Sequence, residues 1–85
     1  MDDVTQREIT NRLRRARGQI DGVIAMIEAG RPCRDVVTQH SAASKALDRA
    51  GYKLIATGLR ECLLSPDGDG ELSVDDLEKL FLSLA

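Results

Sequence analysis

Residues 33–64 read CRDVVTQHSAASKALDRAGYKLIATGLRECLL. The run holds no proline. Val36, Val37, His40, Ala43, Leu47, Ala50, Leu54, Leu59 and Cys62 or Leu63 keep a broad stripe at helical spacing. Gly51 and Gly58 interrupt it, each at a cost of about 1 kcal/mol against Ala. The stretch predicts one long helix, about 45 Å from end to end at 1.5 Å per residue. A compact domain of this length has a radius of gyration of only about 12–13 Å. Such a helix cannot hide within its own chain, so its uncovered stripe is expected to meet another subunit.

Two shorter segments flank it. Residues 5–29 carry Ile9, Leu13, Ala16, Ile20, Val23, Ile24 and Ile27 at helical spacing. Thr5 and Glu8 form a capping-box pattern, and Gly30 supplies a stop. Pro32 suits the first turn of the second helix. After SPDGDGEL, Ser73 and Asp76 frame a short last helix with Val74, Leu77, Leu80, Phe81 and Leu84 on one stripe. Residues 1–85 thus read as a single all-α domain of three helices, with no alternating run that would make a strand.

Composition narrows the function classes. Tyr52 and Phe81 are the only aromatic residues, so the core is aliphatic. No apolar run approaches a membrane span and no secretory leader is evident, so a cytoplasmic protein with no membrane partner is expected. The net charge of −2 is the sum of two unlike parts. Residues 1–60 carry eleven Lys/Arg against seven Asp/Glu; residues 61–85 carry one against seven. Arg7, Arg12, Arg14, Arg15 and Arg17 crowd the first helix, and Arg suits bidentate contact with phosphate. No recognition-helix motif accompanies them.

The acidic stretch 65–76, SPDGDGELSVDD, imitates a calcium loop. Asp67, Asp69, Gly70 and Ser73 fall at loop positions 3, 5, 6 and 9. Position 1 is Ser65 and position 12 is Asp76, one methylene short of the usual Glu, and no second loop exists. The stretch reads as a polar turn followed by a helix cap.

Two cysteines remain, Cys33 and Cys62. Twenty-nine residues of helix separate them by about 43 Å. A disulfide needs Cα atoms within about 7 Å. Within one chain the thiols cannot meet. In an antiparallel dimer whose two-fold axis passes between Leu47 and Asp48, Cys33 of one chain faces Cys62 of the other. Arg31 and Arg34 flank Cys33 at a helix N-terminus, a setting that favours a reactive thiolate. Two thiols without a paired His assemble no nucleophile–base site, so no enzyme and no resident cofactor are expected.

The segment NRLRRARGQIDGVIAMIEAGRPCRDVVTQHSAASKALDRAGYKLI resembles the copper-sensitive operon repressor (CsoR) family. The likeness covers nearly the whole chain: NRL-x-R-x-x-G-Q-x-x-G in the first helix, a cysteine opening the second, ALDRA in its middle and L-x-x-C near its end. The resemblance implies an antiparallel four-helix-bundle dimer that assembles to a tetramer, binds operator double-stranded DNA and lets go when an inducer arrives. It assigns Arg12 and Arg49, with neighbouring Arg14 and Arg15, to DNA. In the copper sensors Cu(I) is held by two Cys and a His, the His four residues before the second Cys. Cys33 and Cys62 match the thiols; the His position is Gly58. Two cysteines kept and the histidine lost resemble the persulfide-sensing, CstR-like branch. The expected inducer is therefore a small-molecule sulfane sulfur species that cross-links Cys33 and Cys62 between protomers. The alternative is a Cu(I)-responsive repressor with Cys33 and Cys62 as its two thiolate ligands. Glu78 matches an outer acid of the copper sensors.

Overall fold

Three helices follow one another without a strand among the described residues: α1 Asp3–Glu28, α2 Cys33–Leu64 and α3 Val74–Leu84. This computed structural model describes residues 1–64 and 73–84, without the side chains at 62–64 and 84. The turn read at 65–72 lies outside the described residues.

Each helix boundary has a local cause. The capping-box pattern at Thr5 and Glu8 is not used. Asp2 caps α1 instead, its carboxylate accepting from Thr5 N at 2.7 Å, and Thr5 lies buried inside the first turn. The carboxylate at Asp2 stands three residues before buried Thr5 and satisfies a free N–H group of the first turn earlier than Thr5 could. Its pKa is lowered, first by the main-chain hydrogen bond from Thr5. The other end closes as the sequence predicts. Gly30 takes φ 67°, Gly30 N donates to Ile27 O at 3.1 Å and Arg31 N to Met26 O at 2.9 Å. This double bond pattern satisfies the last carbonyls of a helix and needs a residue with left-handed freedom.

Pro32 stands one place earlier than expected, as the cap of α2: its carbonyl accepts from Asp35 N and Val36 N. From there α2 runs 32 residues through Gly51 and Gly58 without a break. At α3, Ser73 and Asp76 exchange hydrogen bonds, Asp76 N donating to Ser73 Oγ at 3.1 Å and Ser73 N to Asp76 Oδ2 at 3.2 Å. The main-chain bond from Ser73 N to the carboxylate, followed by the Ser73 hydroxyl beside it, lowers the Asp76 pKa.

Helices α1 and α2 form an antiparallel hairpin. Met1 N meets Glu61 Oε1 at 2.7 Å, Glu8 Oε2 meets Lys53 Nζ at 3.6 Å, and Gln19 meets Gln39. As the α1 number rises, its α2 partner falls. The seam between them is thin: Ile9, Ala16, Ala43 and Ala50 are buried, and no large side chain is wholly enclosed among the described residues. Helix α3 packs against α2 through buried Leu77 and through Tyr52 and Phe81, whose ring centroids lie 5.8 Å apart. The molecule measures 54 × 26 × 13 Å with a radius of gyration of 16.3 Å. It is well beyond the 12–13 Å of a compact domain, as a helix of this length demands. No helix among the described residues is long and apolar enough to cross a membrane.

The hairpin has two unlike edges. At about 100° per residue, Leu13, Ile20 and Ile24 of α1 and Leu47, Gly51, Leu54 and Gly58 of α2 fall to one side of the buried alanines. Glu8, Arg12, Arg15 and Gln19 of α1 and Gln39, Arg49 and Lys53 of α2 fall to the other. The Glu8–Lys53 and Gln19–Gln39 contacts place those two sets on the same edge.

Candidate functional site

Cys33 is the first residue of α2, exposed and outside any disulfide. Position 62 lies on the same unbroken helix. Twenty-nine residues bring the helix round by eight turns and about 20°, so positions 33 and 62 share one side of α2 at opposite ends. That side is the apolar edge. The structure does not bring the two thiol positions together within one chain, as the spacing predicts.

The surroundings of Cys33 differ from the sequence expectation in one respect. Arg31 Nη2 reaches Asp35 Oδ2 at 2.9 Å, across the first turn of α2. The Arg31 charge is thereby shared with a carboxylate, and Arg34 remains as the cation flanking Cys33. His40 is exposed about two turns beyond Cys33, and Gly58 stands one turn before position 62. Among the described residues no three His, Cys, Asp or Glu side chains gather to hold a metal ion. One chain therefore offers single thiols to a soft metal, and any two-thiol site draws on two chains. Glu78 is exposed on α3.

The cationic residues occupy the opposite edge and the back of α1. Arg12, Arg14, Arg15 and Arg49 are all exposed and make no ion pair among the described residues. The Glu8–Lys53 contact sets the level. Four residues on along α1 and four back along α2 place Arg12 level with Arg49, on the same edge as Arg15. Arg49 is turned about 160° from Cys33 around α2. Arg7 and Arg14 line an open depression on α1 with Asp3, Gln6 and Thr10. Such guanidinium groups, free and in a row, suit a polyanion.

Sequence reasoning missed the polar tie in this hairpin. The Gln39 amide donates to both the main-chain oxygen of Gln19, at 3.1 Å, and the Gln19 side-chain oxygen. A methyl group on Gly22 would stand 3.1 Å from the Gln39 Nε2 atom. The signal was present in the run Gly18-Gln19-Ile20-Asp21-Gly22: a glutamine at the rim of a seam, with a glycine three residues on. Thr57 was also missed; it is 4% exposed, and its Oγ1 has no partner among the described residues.

Comparison with known proteins gives these features a family. Residues 5–83 match the family model described as metal-sensitive transcriptional repressor. The copper-sensing transcriptional repressor CsoR of Mycobacterium ulcerans is 38% identical over 74 residues, which is 85% of this chain and 63% of that protein. CsoR of Bacillus subtilis is 34% identical over 76 residues, 87% of this chain and 75% of that protein. The copper-sensing repressor RicR of Mycobacterium tuberculosis is 38% identical over 68 residues, 73% and 71% of the two chains. The chain spans under two thirds of the length of the mycobacterial CsoR proteins it matches. No solved structure matches significantly. With residues 5–83 inside the family model and relatives above 30% identity, the chain belongs to the CsoR family of metal-sensitive transcriptional repressors.

Proposed function

We propose that the chain, as one domain over residues 1–85, is a cytoplasmic operator-binding repressor that releases DNA when Cu(I) bridges Cys33 of one protomer and Cys62 of a second. The observation that carries this reading is the continuity of α2. It holds the two thiol positions on one side of one helix about 43 Å apart, so a two-thiol site is completed only between chains. The apolar edge between them, with Leu47 and Leu54 exposed, is the surface a second antiparallel copy would cover. Two such dimers would give the tetramer. The names of the relatives support copper over the sulfane-sulfur inducer that the sequence placed first. Soft thiolates select Cu(I), and two of them fit a site that lacks a third donor at Gly58. Arg12, Arg14, Arg15 and Arg49 would hold DNA phosphates.

A second reading rests on Gly58 itself, which offers no ligand one turn before position 62. In this CstR-like reading, one thiolate attacks the outer sulfur of an organic persulfide, RSSH. A Cys–S–SH group forms and the thiolate RS⁻ leaves. The thiolate of the other chain attacks the inner sulfur, closes Cys33–Cys62 as a disulfide and expels HS⁻. The two thiols are oxidised and RSSH is reduced to RSH and hydrogen sulfide.

Operator binding by wild type, Cys33→Ala and Cys62→Ala, with anaerobic Cu(I) or with persulfide, separates the readings. The copper reading expects Cu(I) to weaken wild-type binding at least tenfold, and either substitution to abolish the response. If Cu(I) leaves binding unchanged while persulfide releases DNA and mass spectrometry finds cross-linked dimers, the second reading replaces the first. Arg12→Ala and Arg49→Ala are expected to weaken binding and flatten its salt dependence without unfolding the chain.

A further inference from the structure

The thiol positions and Arg12, Arg15 and Arg49 lie on opposite edges of one hairpin, so a change at Cys33 must cross the seam between α1 and α2 to be felt at the arginines. That seam is poor in features that resist sliding. Ala16, Ala43 and Ala50 line it with the single larger Ile9, and small side chains interlock weakly; Thr57 is buried as well, but its Oγ1 makes no hydrogen bond among the described residues. Three polar ties cross it among the described residues. Two are ion pairs with exposed partners, Met1–Glu61 and Glu8–Lys53, a class that holds geometry loosely. The third is the part-buried Gln39 amide, doubly bound to Gln19 through the gap that Gly22 leaves.

Its place is as telling as its bonds. Gln39 stands six residues after Cys33 on α2, about 9 Å along the axis; Gln19 stands four after Arg15 on α1, about 6 Å. A hydrogen-bonded polar pair set into a largely apolar helix contact commonly fixes axial register. We propose that Gln19, Gln39 and Gly22 form the joint that fixes the register of α1 on α2, and that Gln19 and Gln39 are the positioning residues through which an event at Cys33 alters the spacing of Arg12 and Arg15 against Arg49. The inference rests on the repressor reading above and adds to it the place where the hairpin yields.

Two near-isosteric substitutions test it. Gln19→Glu keeps an acceptor for the Gln39 amide. Gln39→Glu removes the donor and sets a carboxylate against the Gln19 main-chain oxygen, a clash that no flip of the Gln19 side-chain amide relieves. A merely space-filling role treats the two alike. The joint predicts that Gln19→Glu retains the wild-type ratio of operator affinities without and with Cu(I), a ratio of about 5–150-fold for typical coupled sites. Gln39→Glu is expected to bring that ratio to within about threefold of unity, at unchanged helix content. If both variants keep the wild-type ratio, or both lose it equally, the joint is overturned. A second measurement is independent of any inducer. Spin labels at Asp21 and Ser41, in a Cys33→Ser, Cys62→Ser background diluted with unlabelled chain, report the α1–α2 register. One sharp distance is expected with Gln39, and a broadened or displaced distribution with Gln39→Glu. A distribution equally sharp and unmoved in Gln39→Glu overturns the joint even if wild type proves blind to Cu(I) and persulfide, the result that would instead remove the effector reading.

Discussion

The two edges of the α1–α2 hairpin are built on different principles. One is apolar and has no partner among the described residues. Leu47 is 49% exposed there and Leu54 40%, with Ile20 and Ile24 alongside on α1. The other is polar and tied within the chain by Glu8–Lys53 and by the Gln19–Gln39 amide, with Arg12, Arg15 and Arg49 along it. Between them the seam is mostly alanine, with Ile9 the one large aliphatic side chain buried in it. Burial of large aliphatic side chains is the main source of stability, yet here most of the large ones lie outside the seam. Under the proposed function the apolar edge would meet a second chain and the polar edge DNA phosphates.

The largest effect is expected where that contrast is broken outright. Leu47→Glu and Leu54→Glu put a charge on the apolar edge. If the edge were solvated, either change would alter stability by under about 0.5 kcal/mol. Covered by a second copy, each is expected to cost about 3 kcal/mol or more, because a carboxylate is then buried without a partner. Sedimentation should show dissociation to monomers, and the thermal transition should fall and become dependent on concentration. The matching change on the polar edge, Arg49→Glu, is expected to leave association intact and abolish DNA binding.

A smaller effect tests the seam. Ala50 is fully buried, so Ala50→Leu forces the helices apart. A loss of about 1–3 kcal/mol is expected by thermal or chemical denaturation, without the concentration dependence expected of the apolar-edge variants.

Much of this fold was legible before any coordinates. The 32-residue α2 followed from a long apolar stripe free of proline, and the stop at Gly30 from left-handed freedom. The separation of the thiols followed from length alone. Other features were hidden for physical reasons. Thr5 and Asp2 both carry capping oxygens, and burial of Thr5 within the first turn, which local sequence does not announce, leaves the cap to Asp2. That Tyr52 meets Phe81 depends on how α3 folds back, which no periodicity within either helix encodes. The Gln19–Gln39 tie joins residues twenty apart, and its glutamines sit at rim positions where long polar side chains ordinarily reach solvent. The arginine edge was half legible: crowding on α1 was plain, but the alignment of Arg49 with Arg12 needed the hairpin register.

Glycine substitutions sharpen the same contrast with smaller effects. Gly22 and Gly18 lie one turn apart on α1. A methyl group at Gly22 would press on the Gln39 amide at 3.1 Å, whereas at Gly18 nothing lies within 4 Å. Gly18→Ala is expected to raise stability by about 0.5–1 kcal/mol, since Ala loses less freedom in a helix. Gly22→Ala should lose most of that gain as Gln39 shifts. Melting temperatures of the two variants, measured side by side, read out whether the polar edge is closed as tightly as its hydrogen bonds imply. Equal gains at both positions would mean the amide yields freely.

The smallest effect separates helix ends from either edge. Asp2 and Asp76 both have folded pKa values held below the usual carboxylate range, chiefly by main-chain hydrogen bonds from Thr5 and Ser73. A depressed folded pKa contributes stability that is complete above the unfolded value, near 3.8, and is lost as pH falls through the lower folded value. Both caps should therefore fade only in strong acid. Asn also caps well but does not titrate in this range. Asp2→Asn and Asp76→Asn are thus expected to fold normally at neutral pH and to flatten the acid limb of the melting-temperature profile below pH 4. Any concentration dependence of the wild-type melting temperature should stay unchanged in both, because the caps stabilise each helix within its own chain. If either Asn variant changes that concentration dependence, the cap takes part in association, and the division between chain-internal ends and an intermolecular edge has to be redrawn.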